Sequence, residues 1–114
     1  MRIIESSANL TPAQVYNMTK GNDVRKMSDA EGEILEIAAY VLYEDEAKEG
    51  QLMTVLSLAT VSGPCYATNS GTFIKNFLDI RTMHESMNAE PPVSYRVSSG
   101  ISKNGRKYLC CDIA

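Results

Sequence analysis

The sequence predicts a mainly β protein of α+β content with two short helices. Three observations predict it. A dense apolar run extends from Ile34 to Tyr43, a second β-rich run extends from Leu52 to Val61, and Asn104-Gly105 separates two strand patterns near the C-terminal end. The 114 residues fit one domain. A chain of this size buries a hydrophobic core without metal or disulfide support. Its 44% hydrophobic content lies near the globular average and argues against wholesale disorder.

Taken in order, residues 10 to 20 read as a helix. Thr11 is a good N-cap, Pro12 suits the first helical position, and Gln14 completes a capping box. Leu10 and Val15 are placed as a hydrophobic staple, and Gly21-Asn22 stops the helix. Residues 22 to 31 are polar, with Arg25 beside Lys26. The run to Tyr43 fits a buried helix or a long strand by periodicity alone. A strand is preferred because the Leu52–Val61 run can pair with it, across an acidic turn from Glu44 to Gly50. Ser62-Gly63-Pro64 is a turn and Cys65 to Thr68 a short third strand. A second helix opens at Ser70 or Thr72, carries Phe73, Ile74, Phe77 and Leu78 on one stripe, and fades near His84.

Val93 to Lys103 and Arg106 to Ile113 then form a hairpin. Asn-Gly is the strongest short hairpin signal, because a two-residue loop needs φ > 0 at both positions. Such a loop pairs Lys103 with Arg106 and Ile101 with Tyr108. Like charges facing each other cost stability in a strand pair, so a basic tip there points either to a nearby anion or to the plain solvation of an exposed turn. Three strands, a helix and a closing hairpin is the order of the OB-fold, a five-stranded Greek-key barrel. The expected architecture is OB-fold-like over residues 32–114, with a helix between strands three and four. Residues 1–31 form an extra N-terminal helical extension packed on the barrel, in one structural domain overall. A generic α+β sheet is the competing architecture.

Little in the sequence supports catalysis. The single histidine, His84, sits near a helix end, where a surface or capping role is expected. No second histidine or cysteine stands at metal-ligand spacing, so no metal or cofactor is expected. No phosphate-cradling glycine motif precedes a helix. The three cysteines, Cys65, Cys110 and Cys111, make a poor disulfide framework and read as small apolar residues of a reducing compartment. No apolar run approaches the about 18 residues a membrane span needs, and Met1 to Glu5 lack the apolar stretch of a signal peptide. A cytoplasmic protein without membrane contact is expected.

The formal net charge is −3, but the charge is polarised. Residues 31 to 50 hold Glu31, Glu33, Glu36, Glu44, Asp45, Glu46 and Glu49 against Lys48. Residues 91 to 111 hold Arg96, Lys103, Arg106 and Lys107 and no acid. Non-specific single-strand binding needs cations along the phosphates and aromatic faces for the bases. Arg96, Lys103, Arg106 and Lys107 are the candidate cations. Tyr43, Tyr66, Tyr95 and Tyr108 are the candidate faces, since tyrosine tolerates exposure. In an OB-fold the loop joining the last two strands flanks the binding groove.

Three blocks carry a family resemblance: Gly32 to Glu49 with its Leu-Tyr-Glu-Asp centre, Tyr66-Ala-Thr-Asn-Ser-Gly-Thr-Phe-Ile74, and Ser99-Gly-Ile-Ser-Lys-Asn-Gly-Arg-Lys-Tyr108. With the Leu-Thr-Pro opening at Leu10, the chain resembles small single-stranded DNA-binding proteins of tailed bacteriophages and prophages of Gram-positive bacteria. The resemblance implies an OB-like barrel in a bacterial host cell, no catalysis and no cofactor. It implies coating of single-stranded DNA without sequence preference during replication or recombination, with proteins of those processes as partners. Bacterial relatives of the wider class end in an acidic recruiting tail. Leu109 to Ala114 read instead as strand, so recruitment by a tail is not expected. An exposed strand edge permits a homodimer without requiring one. The alternative function is a protein-interaction or virion structural module without nucleic-acid binding, working through the acidic loop 44–49 and the N-terminal helix.

Overall fold

The computed structural model describes residues 1–114, apart from the side chain of Lys48. Its elements are β1 (Arg2–Ser6), α1 (Pro12–Thr19), β2 (Val24–Lys26), β3 (Ile34–Glu46), β4 (Leu52–Thr60), β5 (Cys65–Thr68), α2 (Gly71–Ser86), β6 (Ser94–Ile101) and β7 (Lys107–Ile113). The strands form one curled, open sheet in the order β2-β5-β4-β3-β6-β7, with β1 also on β3. The class is mainly β, as expected, with two helices.

Strand β3 organises the sheet. One edge pairs with β4 from Ile37↔Thr60 to Glu46↔Leu52. The other edge takes β6 at its start, from Ile34↔Arg96 to Glu36↔Ser94, and β1 at its end, from Arg2↔Glu44 to Ser6↔Val41. The register shifts between Ile37 and Ala39. A bulge there exchanges the faces of the strand. Leu35 and Ile37 before it, and Tyr40 and Leu42 after it, all enter the main core, while Val41 and Tyr43 turn to the other face.

The main core lies between the sheet and α2. Ser70 caps α2 by accepting a hydrogen bond from the Phe73 N–H. The helix then buries Phe73, Ile74 and Phe77 against Leu56, Leu58, Tyr95 and Val97. Burial of each such side chain stabilises by about 1.5–3 kcal/mol. A smaller cluster of Met18, Val41, Tyr43 and Val55 lies on the opposite face, beside α1. The expected capping box forms there. Gln14 N–H donates to Thr11 Oγ1 at 3.2 Å, and Thr11 N–H donates to Gln14 Oε1 at 2.8 Å. Leu10 and Val15 both pack against that cluster. Inside it the Ser57 hydroxyl donates to the Met18 carbonyl at 2.6 Å.

Five expectations need correction. The sheet has seven strands, not five. Residues 1–31 are more than a helical extension, because β1 pairs with the end of β3 and β2 runs parallel to β5. With two strands ahead of the expected set, α2 falls between the fifth and sixth strands of the chain. Glu44, Asp45 and Glu46 belong to β3, and the turn narrows to a short 3-10 segment, Lys48–Gly50, closed by Ala47 N–H donating to the Gln51 carbonyl.

The fifth correction concerns the closing hairpin. Its register is Ile101↔Lys107 and Gly100↔Tyr108, one residue away from the expected pairing. Gly105 N–H donates to the Ser102 carbonyl at 2.9 Å, and Ser102 N–H donates to the Arg106 carbonyl at 2.8 Å. Asn104 is absent from the residues with positive φ, while Gly105 has φ +77°. This is a three-residue loop, a tight turn followed by a left-handed glycine. Lys103 and Arg106 therefore do not face each other, and the like-charge pair that pointed to an anion does not form.

Among the described residues β5 and β7 do not pair. The segment between β2 and β3 fills the space between the sheet's ends. Met27 and Ala30 of a 3-10 turn (Met27–Ala30) are buried, and Gly32 and Glu33 exchange backbone hydrogen bonds with Val97 of β6. No helix among the described residues is long and apolar enough to cross a membrane.

Candidate nucleic-acid interface

The gap between β5 and β7 leaves a groove of about 580 Å³. Its floor is the outer sheet face, at Tyr43 of β3, Met53 and Val55 of β4, and Ala67 of β5. Lys26 at the end of β2 and Lys107-Tyr108 at the start of β7 come from separate stretches of its wall, and Asn69 adds an amide at the β5–α2 junction. Cations, an aromatic ring and an apolar floor thus meet in one concave surface.

Tyr108 is the accessible ring. It is 38% exposed, and it lies across Gly100 on the neighbouring strand. A Cβ at Gly100 would come within 2.6 Å of the ring. The bare backbone lets the ring lie close to the strand, leaving its other side open.

The other three expected tyrosines differ. Tyr95 is fully buried, with its ring tilted against Phe77 at 4.9 Å between centroids. Its hydroxyl has no hydrogen-bond partner among the described residues. Burial pushes its pKa up, and the nearby Arg81 guanidinium opposes that without reaching hydrogen-bond geometry. It cannot stack on a base. Tyr66 is buried in the main core, with the Arg25 guanidinium 6.0 Å from its ring centroid. Tyr43 does line the groove, but as a buried floor residue, and burial raises its pKa.

The expected cations also divide. Lys103 in the hairpin loop and Arg106, which closes the loop next to Lys107, are exposed and have no carboxylate within 4 Å among the described residues. Lys107 reaches the groove, but its Nζ lies 2.6 Å from Glu31 Oε2. Arg96 shares the hairpin face of Tyr108, four residues along the strand at about 13 Å, opposite Asp112. It does not line the groove. Lys75 is paired with Asp79 at 2.6 Å, and Arg81 lies 4.6 Å from the Tyr40 ring centroid.

Sequence reasoning missed Lys26, Met53, Val55 and Asn69 as groove residues. Lys26 reaches the site because β2 runs parallel to β5, with Lys26 opposite Ala67. The acidic stretch is less repulsive than its composition suggests. Glu44 binds Arg2 and Asp45 binds Lys20, tying β1 and the end of α1 to the β3–β4 hairpin. The Lys20 ammonium accordingly lowers the pKa of Asp45.

Glu31 has the clearest electrostatic signature near the groove. Hydrogen bonds from Lys107 first, and from Ser99 second, hold its carboxyl below the usual glutamate value. A lowered folded-state pKa adds stability above the unfolded value, and that stability is lost as pH falls through the lowered value. The expected result is a carboxyl-carbon NMR titration of Glu31 with its midpoint below that of free glutamate. Lys107→Gln should move the midpoint back up.

A larger cleft of about 690 Å³ lies between the α1–β2 connection and the β4–β5 turn, lined by residues that include Asp23, Arg25 and Cys65. It offers one cation beside one carboxylate and no aromatic face, so it lacks what a nucleobase needs. No group of three or more histidine, cysteine or acidic residues able to hold a metal occurs among the described residues. His84 Nδ1 lies 2.8 Å from the Ile80 carbonyl in the last turns of α2. Burial pushes the Cys111 thiol up to about 12, as for a small core residue. No protein-family model, no curated protein and no solved structure matches this chain.

Proposed function

We propose that this chain binds single-stranded DNA without sequence preference, in the groove between β5 and β7, and coats strands during phage replication or recombination. It works by binding alone, with no catalytic step and no cofactor. The observation that carries this reading is the meeting of the exposed Tyr108 ring, the Lys26 and Lys107 ammonium groups and an apolar floor in one groove.

The OB-fold part of the reading rests on strand order. β3, β4 and β5 form a meander, α2 follows, and the β6–β7 hairpin returns with β6 against β3. In an OB-fold the face of the second and third strands binds oligonucleotides, with the first and last hairpin loops beside it. The corresponding strands here are β4 and β5, which supply Met53, Val55 and Ala67 to the groove floor.

Fluorescence titration of labelled poly-dT at two salt concentrations tests the proposal. Binding should be clear at low salt and weaken as salt rises, because phosphate contacts release counterions. No binding at low salt sinks the reading. Lys103→Glu combined with Arg106→Glu should flatten the log–log salt slope by about 1.4, at about 0.7 per phosphate contact on a single strand. An unchanged slope removes the hairpin loop from the site.

A further inference from the structure

Lys107 stands between two anion positions. Its ammonium lines the groove, and it lies 2.6 Å from Glu31 Oε2. The other Glu31 oxygen accepts a hydrogen bond from the Ser99 hydroxyl. Glu31 therefore presents two anionic oxygens to an ammonium and a hydroxyl, as a backbone phosphate would present its two free oxygens. The chain around Glu31 is held in place. Glu31 N–H donates to the Ser28 carbonyl at 3.3 Å, Gly32 N–H donates to the Val97 carbonyl at 2.7 Å, and Glu33 N–H donates to the Ala30 carbonyl at 2.9 Å. Lys26, the groove's other lysine, has no carboxylate within 4 Å among the described residues.

We propose that Glu31 is an internal competitor for the DNA backbone, occupying the Lys107 ammonium in the empty groove until a phosphate displaces it. This rests on the single-stranded DNA reading above. The pair is accessible, with 63% of the Lys107 and 32% of the Glu31 side chain exposed. An ion pair so exposed to water is weak enough for a phosphate to replace. The displaced carboxylate stays beside the groove and repels the incoming phosphate, so a charged Glu31 subtracts from what Lys107 contributes. A strand with consecutive phosphates engages the uncontested Lys26 as well, whereas an isolated phosphate group gains little from Lys107. Glu31 thereby favours continuous polyanions over single anions.

The test is fluorescence anisotropy of a labelled dT oligonucleotide across a salt series, with wild type, Glu31→Gln, Lys107→Gln and the double variant. Glutamine keeps the size and the hydrogen-bond acceptor for Ser99 and removes the charge. Glu31→Gln should bind about fivefold tighter at low salt, the worth of one exposed ion pair. The gain should shrink as salt rises, because screening also weakens the Lys107–Glu31 pair. Lys107→Gln should cancel the gain, so that the double variant binds no tighter than Lys107→Gln alone. If wild type binds and Glu31→Gln binds equally or more weakly, the competitor idea is overturned and the single-stranded DNA reading stands. If wild type fails to bind, both fall, whatever Glu31→Gln does. Circular dichroism checks folding, and Ser99→Ala serves as a second variant that loosens Glu31 without changing charge. It should tighten binding in the same direction by less, and unchanged affinity there, with an unfolded Glu31→Gln, also overturns the idea.

Discussion

Replacing Phe77 with alanine is expected to destabilise the protein by about 3–5 kcal/mol, the usual cost of emptying a buried aromatic site. Phe77 is fully buried at the centre of the aromatic core. Its ring meets Tyr40 edge-on at 5.3 Å and lies tilted against Tyr95 at 4.9 Å. The Arg81 guanidinium stands 5.6 Å from the same ring centroid. Removing the ring leaves a void between α2 and the sheet that neither backbone can close alone. Domains of this kind are stable by only about 5–15 kcal/mol in total, so much of the margin goes. Urea unfolding should show a large drop in midpoint with an unchanged slope. Tyr95→Phe supplies the contrast. It keeps the ring and removes a buried hydroxyl without a partner, a group whose burial costs about 1–3 kcal/mol. Its stability should equal or exceed that of wild type. A loss above about 1 kcal/mol would instead mean that Arg81 hydrogen-bonds to the hydroxyl in solution.

The same residues show how much of the fold could be read in advance. The strand runs at 34–43, 52–61 and 65–68 were legible because their apolar side chains are continuous or alternating over several residues. β1 and β2 were not. Their exposed, mixed sequences acquire strand form only from partners 40 and 41 residues away, at Tyr43 opposite Ile3 and at Cys65 opposite Val24. The hairpin's existence was legible and its register was not. Asn-Gly suits a two-residue loop, but Ser102 takes both backbone hydrogen bonds of a longer loop and adds its hydroxyl, which accepts from Arg106 N–H at 3.2 Å. One residue of slip exchanges the faces of β7. Among the site residues, the burial of Tyr95 had a signal in the sequence. It shares an alternating face with Val93 and Val97, whereas Arg96 sits on the other. Lys26 had no such signal, because a parallel pairing over a long connection places it.

Tyr108→Ala is the sharpest test of the groove. Base stacking on an aromatic side chain is worth about 1–3 kcal/mol per base, so affinity for a dT oligonucleotide should fall by about five- to 150-fold. The fold should tolerate the change, because the ring lies on the surface of the hairpin above Gly100 and outside both core clusters. The phosphate contacts remain, so the salt slope should persist while the whole affinity curve shifts down. Tyr108→Phe keeps the π-face and should bind like wild type. Tyr95→Phe, deep in the core, should leave affinity untouched. This pattern separates stacking from electrostatics, since a site held by charge alone would respond to Lys26→Gln and ignore Tyr108→Ala. Wild-type affinity in Tyr108→Ala would therefore mean that the bases do not lie in this groove, even if DNA binds elsewhere on the protein.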